Sequence, residues 1–442
     1  MADKHQIVVV GGGAGGLELA TKLGDGLGRK GKAEITLIDA KRTHLWKPLL
    51  HQVAAGSLSI GDQQLEYLAQ ARWRHFRFRL GKMSGLDRHN RLVIVAPTLN
   101  EKGEEVIPQR SFQYDNLVIA VGSVSNDFGI KGVQEHCLFL DTLDQAQRFQ
   151  QHMLNRMLYL HTHKRRPDEQ LGVAIIGAGA TGVELAAQLH TVTRVLSAYG
   201  LDELNPEQDI KLHIIEAGPR ILPALPEPVM EKTCISLAKL GVEIHVNERV
   251  VEVTKDGVKT AKGDFIPAGI TVWAAGIKAP DFLCDIDGLE TNRINQLVVK
   301  TNLQTTRDEN IYALGDCSAC PDKGGGTVPP RAQAAHQQAS FICKVLSNRL
   351  KGVRKTEYHT VNHGEYRYRD YGSLVTLGRY STVGSLMGSI PGTILVTGYI
   401  ARLVYLSLYK MHQIALYGWA RTALLTFSKM LRRSVDPEVK LH

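Results

Sequence analysis

Two stretches of the chain share one hydropathy plan. A short apolar run ends on glycine, a helix-forming stretch follows, and a second apolar run ends on an acidic residue. In the first stretch, residues 6–10 and EITLID at 34–39 read as neighbouring strands, with a helix over 15–29 between them. In the second, a strand starts at 171, a helix follows its glycine turn, a polar loop covers 201–209, and KLHIIE closes the unit on Glu216. Apolar runs without polar alternation are what a parallel strand buried on both faces requires. Each unit also has an exit strand, YDNLVIAVGS at 114–123 and ITVWAAG at 270–276. The pattern predicts an α/β protein with two Rossmann-like dinucleotide-binding domains.

Elsewhere the period changes. At 72–80, Phe76, Phe78 and Leu80 alternate with Arg77 and Arg79, which predicts a half-buried strand rather than a basic, aromatic nucleic-acid surface. Residues 144–166 predict a helical connector ending in the basic run HKRRP. NIYALGDCS at 310–318 reads as a strand ending in Gly315-Asp316, and Pro329 and Pro330 then open a helix over RAQAAHQQASFICKVL. Residues 372–400 alternate apolar positions among Gly, Ser and Thr, predicting short antiparallel strands, and 401–432 predict one or two helices. The expected domains are 1–143 and 295–371 for one dinucleotide, 144–294 for the other, and 372–442 as C-terminal strands and helices.

The glycines carry the first chemistry. Gly11, Gly13 and Gly16 lie about 166 residues before Gly177, Gly179 and Gly182. Each set fits a strand that turns sharply into a helix, so that the backbone can approach a pyrophosphate resting on the helix N-terminus. One such turn is weak evidence, but two imply two dinucleotides and electron transfer between them. In the first unit the amides of Gly12 to Gly15 would meet the pyrophosphate of a flavin dinucleotide. Asp39, 28 residues after Gly11, would accept from its ribose. Gly122 and Ser123 form a small-residue turn that lets the backbone touch a ligand. In the second unit Glu216, 39 residues after Gly177, takes the ribose position. A carboxylate there repels a 2′-phosphate, which favours NADH over NADPH, and the nearest arginine, Arg220, is four residues on.

Composition changes the picture in three places. The 442 residues suffice for about two or three domains, and apolar and charged content are ordinary for a globular protein. No apolar run is long enough to span a bilayer and no signal peptide is expected, so action in the cytosol or at a membrane surface reached from it is the expectation. Of the net charge of +9, +5 falls in residues 397–442. There Tyr405, Tyr409, Tyr417, Trp419 and large aliphatics are punctuated by Arg402, Lys410 and Arg421. That interleaving fits an interfacial amphipathic segment on an anionic membrane over residues 400–432, and not nucleic acid. The competing reading is a helix packed on the body or in a dimer interface. The six cysteines read as free thiols. Cys317 and Cys320 form the single CxxC, with no second pair to complete a zinc site, so no metal is expected and packing is the favoured role.

Three polar groups remain open between two readings. Glu184, two residues past Gly182, is either a dipole-stabilised first-turn carboxylate or a carboxylate near the point where nicotinamide meets flavin. Gln333 and Gln337 share a helix face and are either surface amides or the lining of a carbonyl-substrate pocket. His336, on a neighbouring face, reads as structural.

Taken together, GGGAGGLELA, THLWKPLLHQVAAGSL, YDNLVIAVGS, GAGATGVELAAQL, VWAAGIKAPDFL, YALGDCS, RAQAAHQ and RLVYLSLYKMHQIALYGWARTALL resemble the type II NADH dehydrogenases over nearly the whole chain. These are single-subunit NADH:quinone oxidoreductases of the two-dinucleotide flavoprotein superfamily. The resemblance implies FAD in the first unit, with Lys47, Met83, Asp316, Ala332 and Gln333 also near it, and NADH as substrate in the second. With these sites are grouped the flanking positions Ala14, Ala40 and Ala120 for FAD, and Ala180, Thr181, Ala275 and Gly276 for NADH. It further implies that Glu184 handles protons beside both rings, and that Gln333 and Gln337 line a site for membrane quinone. The tail would dock on the cytoplasmic face of the bacterial inner membrane, peripherally and as a homodimer, without proton pumping. A sulfide:quinone oxidoreductase or a flavin disulfide reductase would need cysteine patterns that this chain does not match. An NADH-sensing membrane scaffold is the alternative outside enzymology.

Overall fold

The structure, a computed structural model, describes residues 4–58, 61, 64–163, 170–199, 201, 203–350, 364–377, 381–387 and 393–432. Most of the basic run HKRRP and the last ten residues, with Arg433 and Lys440, therefore lie outside the described residues. In chain order the first elements that position the sites are β1 (His5–Val10), α1 (Ala14–Leu23), β2 (Ala33–Asp39), α2 (Leu50–Ala54), α3 (Tyr67–Trp73), β3 (Arg77–Leu80) and β4 (Asn116–Ile119). Next come β5 (Cys137–Phe139), α4 (Leu143–Thr162), β6 (Leu171–Ile176), α5 (Ala180–Ala198), β7 (Ile210–Ile215), α6 (Glu227–Lys239), β8 (Val242–His245) and β9 (Ile270–Trp273). The last are β10 (Ile311–Ala313), α7 (Ala332–Arg349), β11 (Gly372–Leu377), β12 (Ser381–Met387), β13 (Thr393–Thr397), α8 (Gly398–Tyr417) and α9 (Trp419–Arg432).

The chain folds into two compact units. The first comprises Met1–Trp46, Gln64–Val124 and Ile277–Asp370. Its parallel sheet has the order β10-β4-β1-β2-β3, with Ile7 opposite both Asn116 and Ile35. Ile7, Val9, Leu37, Ile38 and Leu117 to Ile119 are fully buried, as apolar strands of a sheet covered on both faces must be. Two boundaries differ from the sequence expectation. The helix expected over 15–29 is α-helical only to Leu23 and continues as one π-helical turn, Gly24–Gly28. There a Cβ on Gly24 would lie 2.0 Å from the Arg74 carbonyl oxygen, so this glycine allows close backbone approach. The strand expected from residue 72 begins at Arg77, because Arg72 and Trp73 end α3 and His75, at φ +57°, reverses the chain. Its alternation holds: Phe76 and Phe78 are buried and Arg77 is exposed.

The second unit comprises Lys47–Gln63, Ser125–Gly276 and Tyr371–His442. Its sheet, order β5-β9-β6-β7-β8, is again parallel throughout. β6 is central, with Ile175 opposite Ile214 on one side and Val272 on the other, all three fully buried. α4 opens on a capping box at Thr142, whose hydroxyl accepts from Gln145 N while Gln145 reaches back. β11, β12 and β13 form the expected antiparallel meander. β11 lies against α5, and α8 packs on β12. Gly418, at φ +81°, separates α8 from α9.

The buried centre of this sheet sets a stability test. Ile175→Ala should cost about 2–5 kcal/mol, from lost transfer energy plus the cavity left in a packed interior. Chemical denaturation should read this as a lower midpoint with an unchanged slope.

Candidate active site

In the first unit the turn after β1 is shaped by contacts that only glycine permits. Gly11 sits at φ +99°, and a Cβ there would lie 2.3 Å from the Ala120 carbonyl oxygen. A Cβ on Gly16 would lie 1.9 Å from the Gly11 carbonyl oxygen, so helix and strand touch backbone to backbone. Gly13, by contrast, faces open space and is exposed. It starts α1 with no side-chain cap, which leaves the first amides of the helix, at Ala14 to Gly16, directed outward. That cradle fits a dinucleotide pyrophosphate. Asp39 ends β2 and takes the Gly12 amide at 2.6 Å and the Lys41 amide at 2.8 Å. Burial raises its pKa, and the Gly12 bond opposes the rise. Ala40, beside it, is exposed. Two residues unseen from sequence complete the turn. Tyr67 donates its hydroxyl to Gly12 O at 2.8 Å, and His44 Nδ1 lies 2.9 Å from the same oxygen. Burial pulls His44 down to about 4, so the neutral ring donates from Nδ1.

The second unit repeats this construction. Gly177 has φ +104°, and a Cβ on Gly182 would lie 2.1 Å from the Gly177 carbonyl oxygen. Gly179 faces open space and begins α5 without a side-chain cap, with Ala180 and Thr181 exposed in the first turn. Glu216 accepts from Ala178 N at 2.9 Å and from Gly218 N at 2.8 Å, the counterpart of the Asp39 bonds. Ala275 and Gly276 follow β9, and the Trp273 indole donates to Ala275 O at 2.9 Å. The dinucleotide expected here fits the same argument as the first.

Each unit contains further positions expected near FAD. Gly122 (φ +70°) faces open space, and Ser123 donates to Asp316 Oδ2 at 2.8 Å. Gln296 donates to Asp316 O at 2.8 Å, and Gln338 Oε1 accepts from Gly315 N at 2.7 Å, so this loop is braced on both sides. Met83, at 2% exposure, lies in the strand Met83–Asp87 of the first unit. Lys47 belongs to the second unit, where Nζ lies 3.6 Å from Asp141 Oδ1. Ala332 and Gln333 begin α7, and Gln333 donates to Asp370 Oδ1 at 3.3 Å. Gln337 exchanges two hydrogen bonds with the Arg369 backbone, at 2.8 and 3.0 Å. His336 pairs with the buried Glu18 carboxylate of α1.

Glu184 is a strongly perturbed acid of the second unit. It lies on the buried side of α5 at 8% exposure, and burial pushes its pKa up to about 7. Thr376 of β11 works against that shift, donating its amide at 2.9 Å and its hydroxyl at 3.2 Å to Oε1. His51 of α2 places Nδ1 3.6 Å from Oε2. The contact is not an ion pair at neutral pH, because burial pulls His51 down to about 4. Tyr405 of α8 completes the group: it hydrogen-bonds Thr376, and burial together with the Glu184 charge raises its pKa, so it stays protonated. None of these three partners has a sequence signal, since each lies more than a hundred residues from Glu184. Cys317 and Cys320 are buried free thiols pushed up to about 12, so neither is a thiolate at neutral pH.

Comparison with known proteins agrees with this construction. Residues 5–339 match the pyridine nucleotide-disulphide oxidoreductase family. The chain is 40% identical over 452 aligned positions to a type II NADH:quinone oxidoreductase of Haemophilus influenzae, covering 99% of each. The structure of NDH2 from Plasmodium falciparum in complex with NADH superimposes with a TM-score of 0.81 at 18% identity, covering 99% of this chain and all of that one. The sulfide:quinone oxidoreductase of Aquifex aeolicus shares the fold at a TM-score of 0.70 and 17% identity, covering 98% of this chain and 95% of its own. The protein is thus an FAD- and NADH-dependent oxidoreductase with two Rossmann-like domains. Within that class it belongs to the type II NADH:quinone oxidoreductases.

The Glu184 environment sets a second test. A carboxyl at about 7 in the fold against 4.5 in the open chain binds its proton more tightly when folded. It therefore adds stability only while protonated, and destabilises as pH rises from about 4.5 through 7. Glu184→Gln should remove a penalty on the order of 3 kcal/mol above pH 7 and none below pH 4, read as the pH dependence of the unfolding midpoint. The same variant should keep its flavin while turnover falls.

Proposed function

We propose that Glu184 supplies the proton of the NADH:quinone reaction. The observation that carries this reading is a buried carboxyl with a pKa of about 7, on the helix whose N-terminus forms the second glycine cradle. FAD, when bound, takes a hydride from NADH and returns two electrons to the quinone. Oxidising NADH yields one hydride, whereas a quinol carries two added hydrogens, so one proton must be taken up in each cycle. A carboxyl that titrates near neutrality can deliver that proton and be recharged from solution. Thr376 and protonated Tyr405 hold it in one orientation, and uncharged His51 leaves its charge uncompensated and its pKa high.

Asp39 and Glu216 accept from the ribose hydroxyls of FAD and NADH, and Glu216 disfavours NADPH by charge. Gln333 and Gln337 line the quinone site, their helix face ordered by Asp370 and by the Arg369 backbone. α9 exposes Leu424, Phe427, Met430 and Leu431, with Trp419 at its start 77% exposed. Among the described residues no helix is long and apolar enough to cross a membrane. An apolar face next to Lys410, Arg421 and Lys429 suits insertion into the surface of an anionic bilayer, and the cytoplasmic face of the inner membrane with a homodimeric assembly completes this reading. Sulfide chemistry is disfavoured, because the cysteines of this chain do not match the pattern such an enzyme needs.

Stopped-flow absorbance tests the reaction: NADH should bleach the flavin quickly, NADPH slowly, and a soluble quinone should restore the colour. Slow bleaching by both nucleotides would leave the sensing scaffold as the better account. For docking, Leu424→Lys with Phe427→Lys should release the protein from anionic vesicles in a flotation assay while oxidation of NADH by water-soluble quinone continues. Truncation at about residue 400 is a poorer test, because it also removes Tyr405 from the Glu184 group.

A further inference from the structure

Outside the reaction site, one cluster on the second sheet has the geometry of a ligand set. β7 and β8 pair in parallel with His213 opposite Glu243 and Ile215 opposite His245. Residues two apart on a strand share a face, so Glu243 and His245 stand on the same side, next to His213. Their tips converge. His213 Nδ1 lies 3.2 Å from His245 Nε2 and 3.3 Å from Glu243 Oε2, and His245 Nε2 lies 3.8 Å from the same oxygen. Zinc holds nitrogen and oxygen donors at about 2.0–2.2 Å in a tetrahedron, which puts neighbouring donor atoms about 3.4 Å apart. The separations of 3.2 and 3.3 Å lie close to an edge of that tetrahedron, and the 3.8 Å separation is longer by a few tenths of an ångström.

We propose that His213, Glu243 and His245 bind a divalent transition-metal ion, Zn2+ above all, with water at the fourth position. Two imidazoles and one carboxylate form a borderline donor set that suits zinc rather than magnesium or calcium. Access is asymmetric: the His213 side chain is 9% exposed, that of His245 29% and that of Glu243 53%, which leaves the open position toward solvent. Without metal, one proton shared between the rings accounts for their contact, and the ion replaces it.

The site bears on the nucleotide cradle through the backbone. Glu216 N donates to His245 O at 2.8 Å, and Glu248 N donates to Glu216 O at 2.9 Å. An ion tying His245 on the edge strand β8 to β7 thereby steadies the end of β7, which the proposed ribose acceptor directly follows. This second step rests on the assignment of Glu216, whereas the metal site itself does not.

The test uses the flavin-loaded full chain after treatment with a chelator. Zn2+ titrated by calorimetry should show one more equivalent in the wild type than in His245→Gln, and at least about tenfold weaker binding in Glu243→Gln. Co2+ should give tetrahedral d–d bands in the wild type that both variants lose. Equal Zn2+ stoichiometry and affinity in the wild type and both variants, all retaining flavin, would overturn the site. Glu243 is a half-exposed surface residue, so its variant is informative even if His245→Gln folds poorly. With Zn2+ bound, KM for NADH should fall by about twofold or more at constant kcat in the wild type alone. An unchanged KM with the extra equivalent bound would overturn the link to Glu216 and leave the metal site standing.

Discussion

Both proposed dinucleotide sites depend on backbone atoms meeting where no side chain fits. Gly16 lies against the Gly11 carbonyl and Gly182 against the Gly177 carbonyl, each at a distance a Cβ could not tolerate. That contact brings the start of each helix onto the end of its strand and points uncapped amides outward. The acidic ends of β2 and β7 then bond the turn itself, Asp39 through the Gly12 amide and Glu216 through the Ala178 amide. Each acid therefore braces the turn while its remaining lone pairs stay available to a ribose. The same backbone contact shapes the anion site and places the acceptor beside it.

Glu184 shows how such a scaffold perturbs a carboxyl. The helix that begins on the second cradle turns this carboxyl inward, and the surroundings shift its protonation more than any partner does. Thr376 supplies two hydrogen bonds, enough to orient the group but too few to offset its desolvation. Had His51 been charged, it would have pulled the carboxyl back toward its ordinary range; its own burial prevents that. Tyr405 ties this group to α8, so the segment proposed to meet lipid also helps to build the acid.

The charge distribution has a physical division of labour. The described basic residues of the tail accompany apolar side chains that the fold leaves uncovered. Cys317 and Cys320, which could have suggested disulfide chemistry, are buried, and burial pushes both thiols up to about 12. The polar face of α7 is ordered by residues 369 and 370, so Gln333 and Gln337 are held in place rather than loose on a surface.

Much of this was legible in the sequence because the information is local. A strand, a glycine turn and a helix lie within about twenty residues, and their periods and glycine positions define two Rossmann-like sheets, the two acidic strand ends and the amphipathic tail. The extent of α1 and the start of β3 were less so, because a π-helical turn at Gly24 and a left-handed His75 answer to packing against remote backbone. Whether Glu184 is only a dipole-stabilised first-turn carboxylate or one near the point where nicotinamide meets flavin could not be read from its spacing. Its proton affinity is set by burial and by Thr376, Tyr405 and His51, which come from three separate segments. The same holds for His213, Glu243 and His245, whose approach is a matter of strand register. Short-range steric rules determine where the chain turns; desolvation and convergence of distant side chains exist only once it has folded.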